Sequence, residues 1–179
     1  MLLSATLTGG DHQIFLASRR GYAVRFHESK VRPMGRNATG VKGMALSGES
    51  DAIVGMLCIN PAESAQDTIL VVSEKGNGKR SEVDEYRLTN RGAKGVKTMQ
   101  ITDKTGALIA MKAVQENEDL MITNRSGIII RMAVSTMRVI GRATQGVRVI
   151  RLDEDDAIAD VAVIPYSPEI ELPEGEENI

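Results

Sequence analysis

The sequence predicts an all-β chain, a propeller-like array of about three four-stranded antiparallel blades. Three observations carry that reading. A basic loop recurs, as GRNATGVKGM at 35–44, NRGAKGVKTM at 90–99 and GRATQGVRVI at 141–150. Counting back 19 residues from Gly40, Gly95 and Gly146 reaches Gly21, Gly76 and Gly127, so the copies share one ruler with offsets of 55 and then 51 residues. The apolar runs between these landmarks are short, rich in Val, Ile and Leu, and bounded by turn residues, with no long helical period. A repeat of about 50 residues with four strands has the dimensions of one blade, a unit that buries its apolar face only against its neighbours.

In chain order, residues 1–10 read as a remnant strand of a preceding blade. Blade repeats follow at 11–60, 67–115 and 119–165, and an acidic disordered tail at 166–179. Within each repeat a first strand (about 13–18, 68–73 and 119–124) turns at SRRG, SEKG or NRSG into a second (about 22–26, 77–81 and 128–132). Gly21, Gly76 and Gly127 supply the left-handed backbone that a tight hairpin needs. In the first and third copies the second strand alternates, with Tyr22, Val24 and Phe26 opposite Arg25, and Ile128, Ile130 and Met132 opposite Arg131. The second copy, NGKRS, is polar there and reads weakly as a strand. A connection of about 14 residues leads to a third strand (about 41–46, 96–101 and 147–152) and a fourth (about 52–59, 107–114 and 157–164). Linkers NPAESAQ at 60–66 and QENE at 115–118 separate the copies.

Composition narrows the function classes. With 179 residues and 42% hydrophobic content the chain buries a core. The single Cys58 excludes an internal disulfide, and His12 and His27 have no metal-ligand spacing, so neither a metal nor a cofactor is expected. GNGK at 76–79 fails the phosphate-loop pattern and sits at the repeated hairpin turn; Asp153 to Asp156 lack the glycine and final glutamate of a calcium loop. No run is long enough for a membrane span, and a cytoplasmic location is expected.

The net charge of −2 hides a division: residues 1–152 hold all 22 basic and 14 acidic side chains, whereas 153–179 hold ten acidic and no basic ones. Four columns are basic in all three copies: Arg25, Arg80 and Arg131; Arg32, Arg87 and Arg138; Arg36, Arg91 and Arg142; Lys42, Lys97 and Arg148. The second loop adds Lys94. Charge held at one spacing suits a periodic partner, and five aromatic residues are too few for stacking along a single strand. Double-stranded DNA gripped by its phosphates is therefore the expected ligand, largely without regard to sequence.

At the three loops, with their hairpins IFLASRRGYAVRF, ILVVSEKGNGKRS and DLMITNRSGIIIRM, the chain resembles the C-terminal DNA-wrapping domain of the bacterial DNA gyrase A protein. The resemblance implies a β-pinwheel, in which neighbouring blades exchange hairpins and basic residues on the rim bend DNA. It also implies a non-catalytic part of a type II topoisomerase that partners the remainder of gyrase A, together with gyrase B, at the nucleoid. The family's signature box, a Gln, paired arginines and then Gly-Gly-Lys-Gly, has no full counterpart, NRGAKGVK at 90–97 being its nearest relative. Nor does any tyrosine match the catalytic one. Two alternatives stay beside this reading, the related domain of topoisomerase IV and a protein-interaction propeller. Open blade edges predict self-association as well.

Overall fold

The computed structural model describes residues 2–166. Its regular structure is β throughout, apart from single 3-10 turns at Glu28–Lys30, Val83–Glu85 and Val134–Thr136. The first repeat folds as β1 (Gln13–Ser18), β2 (Tyr22–His27) and β3 (Ile53–Ile59). In the second come β4 (Thr68–Ser73), β5 (Asn77–Glu82), the two-residue strands β6 (Leu88–Thr89) and β7 (Val96–Lys97), and β8 (Leu108–Val114). The third contributes β9 (Asp119–Asn124), β10 (Ile129–Ala133), the two-residue β11 (Val147–Arg148) and β12 (Ile158–Ile164).

Each sheet is centred on the first strand of its repeat, which pairs antiparallel with the second strand on one side and the fourth on the other. The third strand does not return to its own sheet. β7 pairs with β2, Ala23 opposite Val96, and β11 pairs with β5, Gly78 opposite Val147. The first and second blades thus complete their outer edges with a strand lent by the following repeat, and the exchange that the resemblance implies is present at both junctions.

The ends of the array show what exchange requires. The first repeat's expected third strand, 41–46, has no earlier blade in this chain to join and forms no strand. At the other end the third sheet has three strands among the described residues, in the order β10-β9-β12. Residues 2–9 also form no strand; Leu3 and Ser4 lie beside β3, β8 and β12 instead of extending a sheet. From residue 167 onward the acidic segment lies outside the described residues.

The core sits between blades. In β4, Ile69 and Val71 face Phe15, Ala23, Tyr86 and Met111 toward the first blade, while Leu70 and Val72 face Leu120, Ile122, Val134 and Ile158 toward the third. Both faces of that strand are therefore apolar, and all six of its residues are buried. The first blade's outer face carries a smaller cluster of Val24, Phe26 and Met44 with Tyr22 packed on it, as the alternation in β2 predicts. The matching positions on the third repeat do not bury: Ile128, just before β10, and Ile130 within it are exposed.

Candidate nucleic-acid interface

The basic loops lie along the outer edge of the sheets, since β7 and β11 cap the sides of β2 and β5 away from β1 and β4. Glycine makes that seating feasible. Gly95 has φ 83° and its Cα faces the Ala23 carbonyl so closely that a Cβ would overlap it; at Gly146, φ 76°, a Cβ would stand 2.7 Å from the Gly78 oxygen. The hairpin glycines meet the same junction from the other side, a Cβ on Gly76 falling 2.6 Å from the Ile150 oxygen and one on Gly21 overlapping that of Met99. At the array ends, Gly40 and Gly127 face nothing.

Two members of the first basic column are built into these junctions. The Arg25 guanidinium donates through Nη1 to the carbonyls of Val83 and Tyr86 in the next repeat, both at 2.9 Å, and through Nε to Gln13 at 2.7 Å. It also lies over the Phe15 ring. Arg80 repeats the bond one blade on: Nε and Nη2 donate to the Met137 carbonyl at 2.9 and 2.6 Å, and Nη1 pairs with Glu116 at 2.6 Å. Only 4% of its side chain is exposed. Arg131 has no following repeat; it is 65% exposed and bonds Asp119. The expectation that Arg25 and Arg80 present charge at the surface is thus corrected, because backbone carbonyls of the next repeat have claimed their donors.

The loop column works in the opposite direction. Arg91 donates from Nε to the Lys30 carbonyl at 2.8 Å and from Nη1 to that of Lys42 at 3.2 Å. Arg142 makes the equivalent pair to Glu85 at 2.9 Å and Lys97 at 2.8 Å. Both remain half-buried, whereas Arg36, which lacks an earlier repeat, is exposed. Exposed basic side chains on this edge are Arg32 and Lys42 in the first repeat, Arg87, Lys94 and Lys97 in the second, and Arg138 and Arg148 in the third. Lys94 stands over the Tyr22 ring, its Nζ 4.3 Å from the centroid.

Lys79 is a residue whose role the sequence did not signal through any column. It replaces the Val24 and Ile130 of its neighbours, is fully buried, and donates Nζ to the carbonyls of Gly141, at 2.7 Å, and Arg142. Burial lowers its pKa to about 8, with Glu85 opposing and Arg142 assisting the shift. Ser81 joins it by donating Oγ to the Ile140 carbonyl. The available signal was the polarity of NGKRS itself: a polar second strand inside an apolar array implies buried polar partners, here the exchanged loop of the third repeat.

The acidic stretch approaches the same edge. Arg148 shares a cleft of about 220 Å³ with Lys75, Lys104, Asp153, Glu154 and Asp156. Asp156 is otherwise occupied, accepting from Ser126 and Asn124, so it fastens the β9–β10 turn. Among the described residues no group of three or more His, Cys, Asp or Glu is placed to hold a metal ion, and no helix is long and apolar enough to cross a membrane.

Three stretches of the chain, 12–60, 67–115 and 118–165, match the family model described as DNA gyrase C-terminal domain, beta-propeller. The chain belongs to that family. Among relatives, it is 44% identical over 177 residues to the DNA gyrase A protein of Staphylococcus aureus strain NCTC 8325 / PS 47, covering 99% of this chain and 20% of the relative. The chain thus spans about a fifth of the length of the curated relatives it matches. Among solved structures, a DNA gyrase A C-terminal domain superposes with a TM-score of 0.77 at 27% identity, covering 87% of this chain and 51% of that one. The C-terminal domain of a DNA topoisomerase IV gives 0.80, also at 27% identity, covering 88% and 48%. The exchanged strands and arginine clamps are thus those of a chain of this family, matched in three repeats.

Proposed function

We propose that this chain is a non-catalytic, duplex-DNA-binding segment of a bacterial gyrase A protein, which bends DNA along its outer edge. One observation carries the reading: each exchanged loop, anchored by its own arginine and glycine, leaves cationic side chains on an outer edge at blade spacing. The contacting set is Arg32, Arg36 and Lys42, then Arg87, Lys94 and Lys97, then Arg138 and Arg148, with the half-buried Arg91 and Arg142 beside them. Arg25 and Arg80 act behind this surface, holding the loops that display it.

The division of labour follows from energy. Turning a site of 20–30 base pairs by 40–90° costs on the order of 1–6 kcal/mol, and phosphate contacts repeated around a rigid edge offset it. Lysines and arginines on anchored loops lose little further entropy on binding, whereas a loop free to move would give back part of the gain. Contacts of this kind read charge and curvature, so binding is indifferent to base sequence. Within the larger enzyme the bent segment would be delivered to the cleavage machinery formed by the remainder of gyrase A with gyrase B, in the cytoplasm at the nucleoid. Identity of 44% to a gyrase A protein across nearly the whole of this chain favours this over the topoisomerase IV reading.

The test is a salt titration of DNA affinity. If about six phosphates are neutralised, log K falls against log salt with a slope near −5, at roughly −0.9 per phosphate. A flat response would favour the protein-scaffold reading and remove the DNA one.

A further inference from the structure

We propose that the cleft between the hairpin turns of the first two repeats is a phosphate-binding site, built from Arg19, Arg20 and Lys75 and separate from the outer edge. None of the three belongs to a column that is basic in every copy, and the site stands whether or not the edge holds DNA.

The cleft has a volume of about 530 Å³ and lies between Arg19 and Arg20 on one turn, Lys75 on the next, Ser50, and the loop joining β7 to β8. That is room for a small polar ligand. The backbone of each cation is tied across the junction. Arg19 N donates to the Ala52 carbonyl and Leu108 N to that of Arg19, both at 2.9 Å, while Lys75 N donates to Thr105 at 3.0 Å. Arg20 N donates to Asp51 at 3.1 Å. Two of the side chains are then oriented by neutral groups: Arg20 donates from Nη2 to Ser50 Oγ at 2.9 Å, and Lys75 from Nζ to the Asp103 carbonyl at 2.6 Å. Neutral acceptors place these cations without cancelling their charge, and none of the three forms an ion pair among the described residues. Asp51 and Glu74 stand behind the walls with oxygens already accepting backbone N–H groups, Asp51 from Arg20, Ser47 and Ala52, and Glu74 from Ala107.

The next junction holds the equivalent cleft, and there the chain supplies the anions itself. Lys75, Lys104 and Arg148 share it with Asp153, Glu154 and Asp156. Backbone bonds align the two loops. Asp156 N donates to the Asp153 carbonyl as Thr105 N does to that of Thr102, so Thr102 stands where the third repeat has Asp153. Arg125 N donates to the Ala157 carbonyl as Glu74 N does to that of Ala107, so Gly106 stands where the third repeat has Asp156. The second cleft therefore sets three cations against three carboxylates, whereas the first sets three cations against Asp103 alone. Two carboxylates are missing from the first. A phosphate group brings up to two negative charges and several strong acceptor oxygens, which match the planar fork of an arginine and the point charge of a lysine.

Isothermal titration calorimetry of the full chain with inorganic pyrophosphate at low ionic strength tests the assignment. One equivalent should bind. Arg20→Gln combined with Lys75→Gln, both at exposed positions outside the core, should weaken binding about tenfold or more, because charge-assisted hydrogen bonds are lost. Thr102→Asp, which gives the first cleft a carboxylate of the second, should weaken it as far. Arg125→Gln, at the exposed third-repeat position equivalent to Arg19, should change nothing. Absence of binding by the wild-type chain overturns the proposal, and so does an equal loss in Arg125→Gln, which would mean that pyrophosphate follows net charge. A short DNA duplex added to the loaded chain distinguishes the sources of the phosphate: displacement of pyrophosphate assigns the cleft to the DNA backbone, and simultaneous binding assigns it to a free phosphate compound.

Discussion

Arg80→Ala separates a clamp from a DNA contact. The wild-type guanidinium places two donors on one buried carbonyl, that of Met137, at 2.9 and 2.6 Å, and a third on Glu116 at 2.6 Å. Truncation leaves that carbonyl without its charged partner, while Glu116, 68% exposed, is rehydrated. Hydrogen bonds to a charged group contribute about 1.5–3 kcal/mol each, and a buried acceptor left unsatisfied costs about 1–3 kcal/mol. These overlap rather than add, which sets the expected loss at roughly 3–5 kcal/mol. For a domain of this size each kcal/mol moves Tm by about 2–4 °C, so the midpoint should fall by about 6–20 °C.

Arg131→Ala is the internal control. The residue occupies the same column, yet it is 65% exposed and holds only Asp119. An exposed pair contributes about 1 kcal/mol at most, so Tm should move by no more than about 4 °C. Differential scanning calorimetry measures both. Equal losses at the two positions would refute the clamp reasoning, and so would an Arg80→Ala chain that keeps its Tm while losing DNA affinity.

Other perturbations reach different parts of the same argument. Burial holds the Lys79 pKa down, from the ordinary 10.5 to about 8. The unfolded chain therefore binds more protons between those values, and stability should rise with pH from about 8 toward 10 by up to about 1.4 kcal/mol per unit. Tyr86, pushed up to about 12 mainly by burial, acts with the opposite sign above 10, as the unfolded tyrosine ionises first. Urea titrations of wild type and Lys79→Met isolate the lysine, whose contribution is their difference; parallel curves would exclude it. Gly95→Ala should cost about 2–4 kcal/mol, through its left-handed backbone and the Ala23 carbonyl, whereas Gly40→Ala should cost about 1 kcal/mol from the backbone alone; thermal melts compare them. Replacing Lys42, Lys94 and Lys97 with Glu should abolish DNA retention in a gel-shift while the far-ultraviolet circular dichroism stays unchanged; retained binding would move the DNA path elsewhere.

Much of the architecture was legible because it rests on local patterns. The first strands fall at the positions that their Val, Ile and Leu runs mark, and the second and fourth within a residue or so. The third strand was not legible in the same way. GVKGM, GVKTM and GVRVI look alike, but whether they form a strand depends on an acceptor more than 50 residues away or absent, and only the latter two have one. NGKRS read weakly for a similar reason. Its burial is stabilised by carbonyls of a later repeat, and no window around residues 77–81 contains them.

The basic columns illustrate a further limit, and it explains which arginines the candidate site keeps. A repeated junction repeats whatever residue holds it, so an arginine that clamps a carbonyl recurs with the same regularity as one that waits for phosphate. Periodicity alone ranks Arg25, Arg32 and Arg36 together. What distinguishes them is where the lone pairs are: Arg25 has carbonyls within reach on the next repeat, Arg32 has none within hydrogen-bonding distance among the described residues, and Arg36 is exposed where Arg91 and Arg142 hold carbonyls of the preceding repeat. The clamp and the contact are nonetheless linked. On the proposed function, Arg91 and Arg25, by fixing the loop that carries Lys94 and Lys97, would set the spacing at which charge meets the phosphate ladder, so loosening a buried arginine should lower DNA affinity less steeply than it lowers stability, while reversing an exposed lysine should do the opposite.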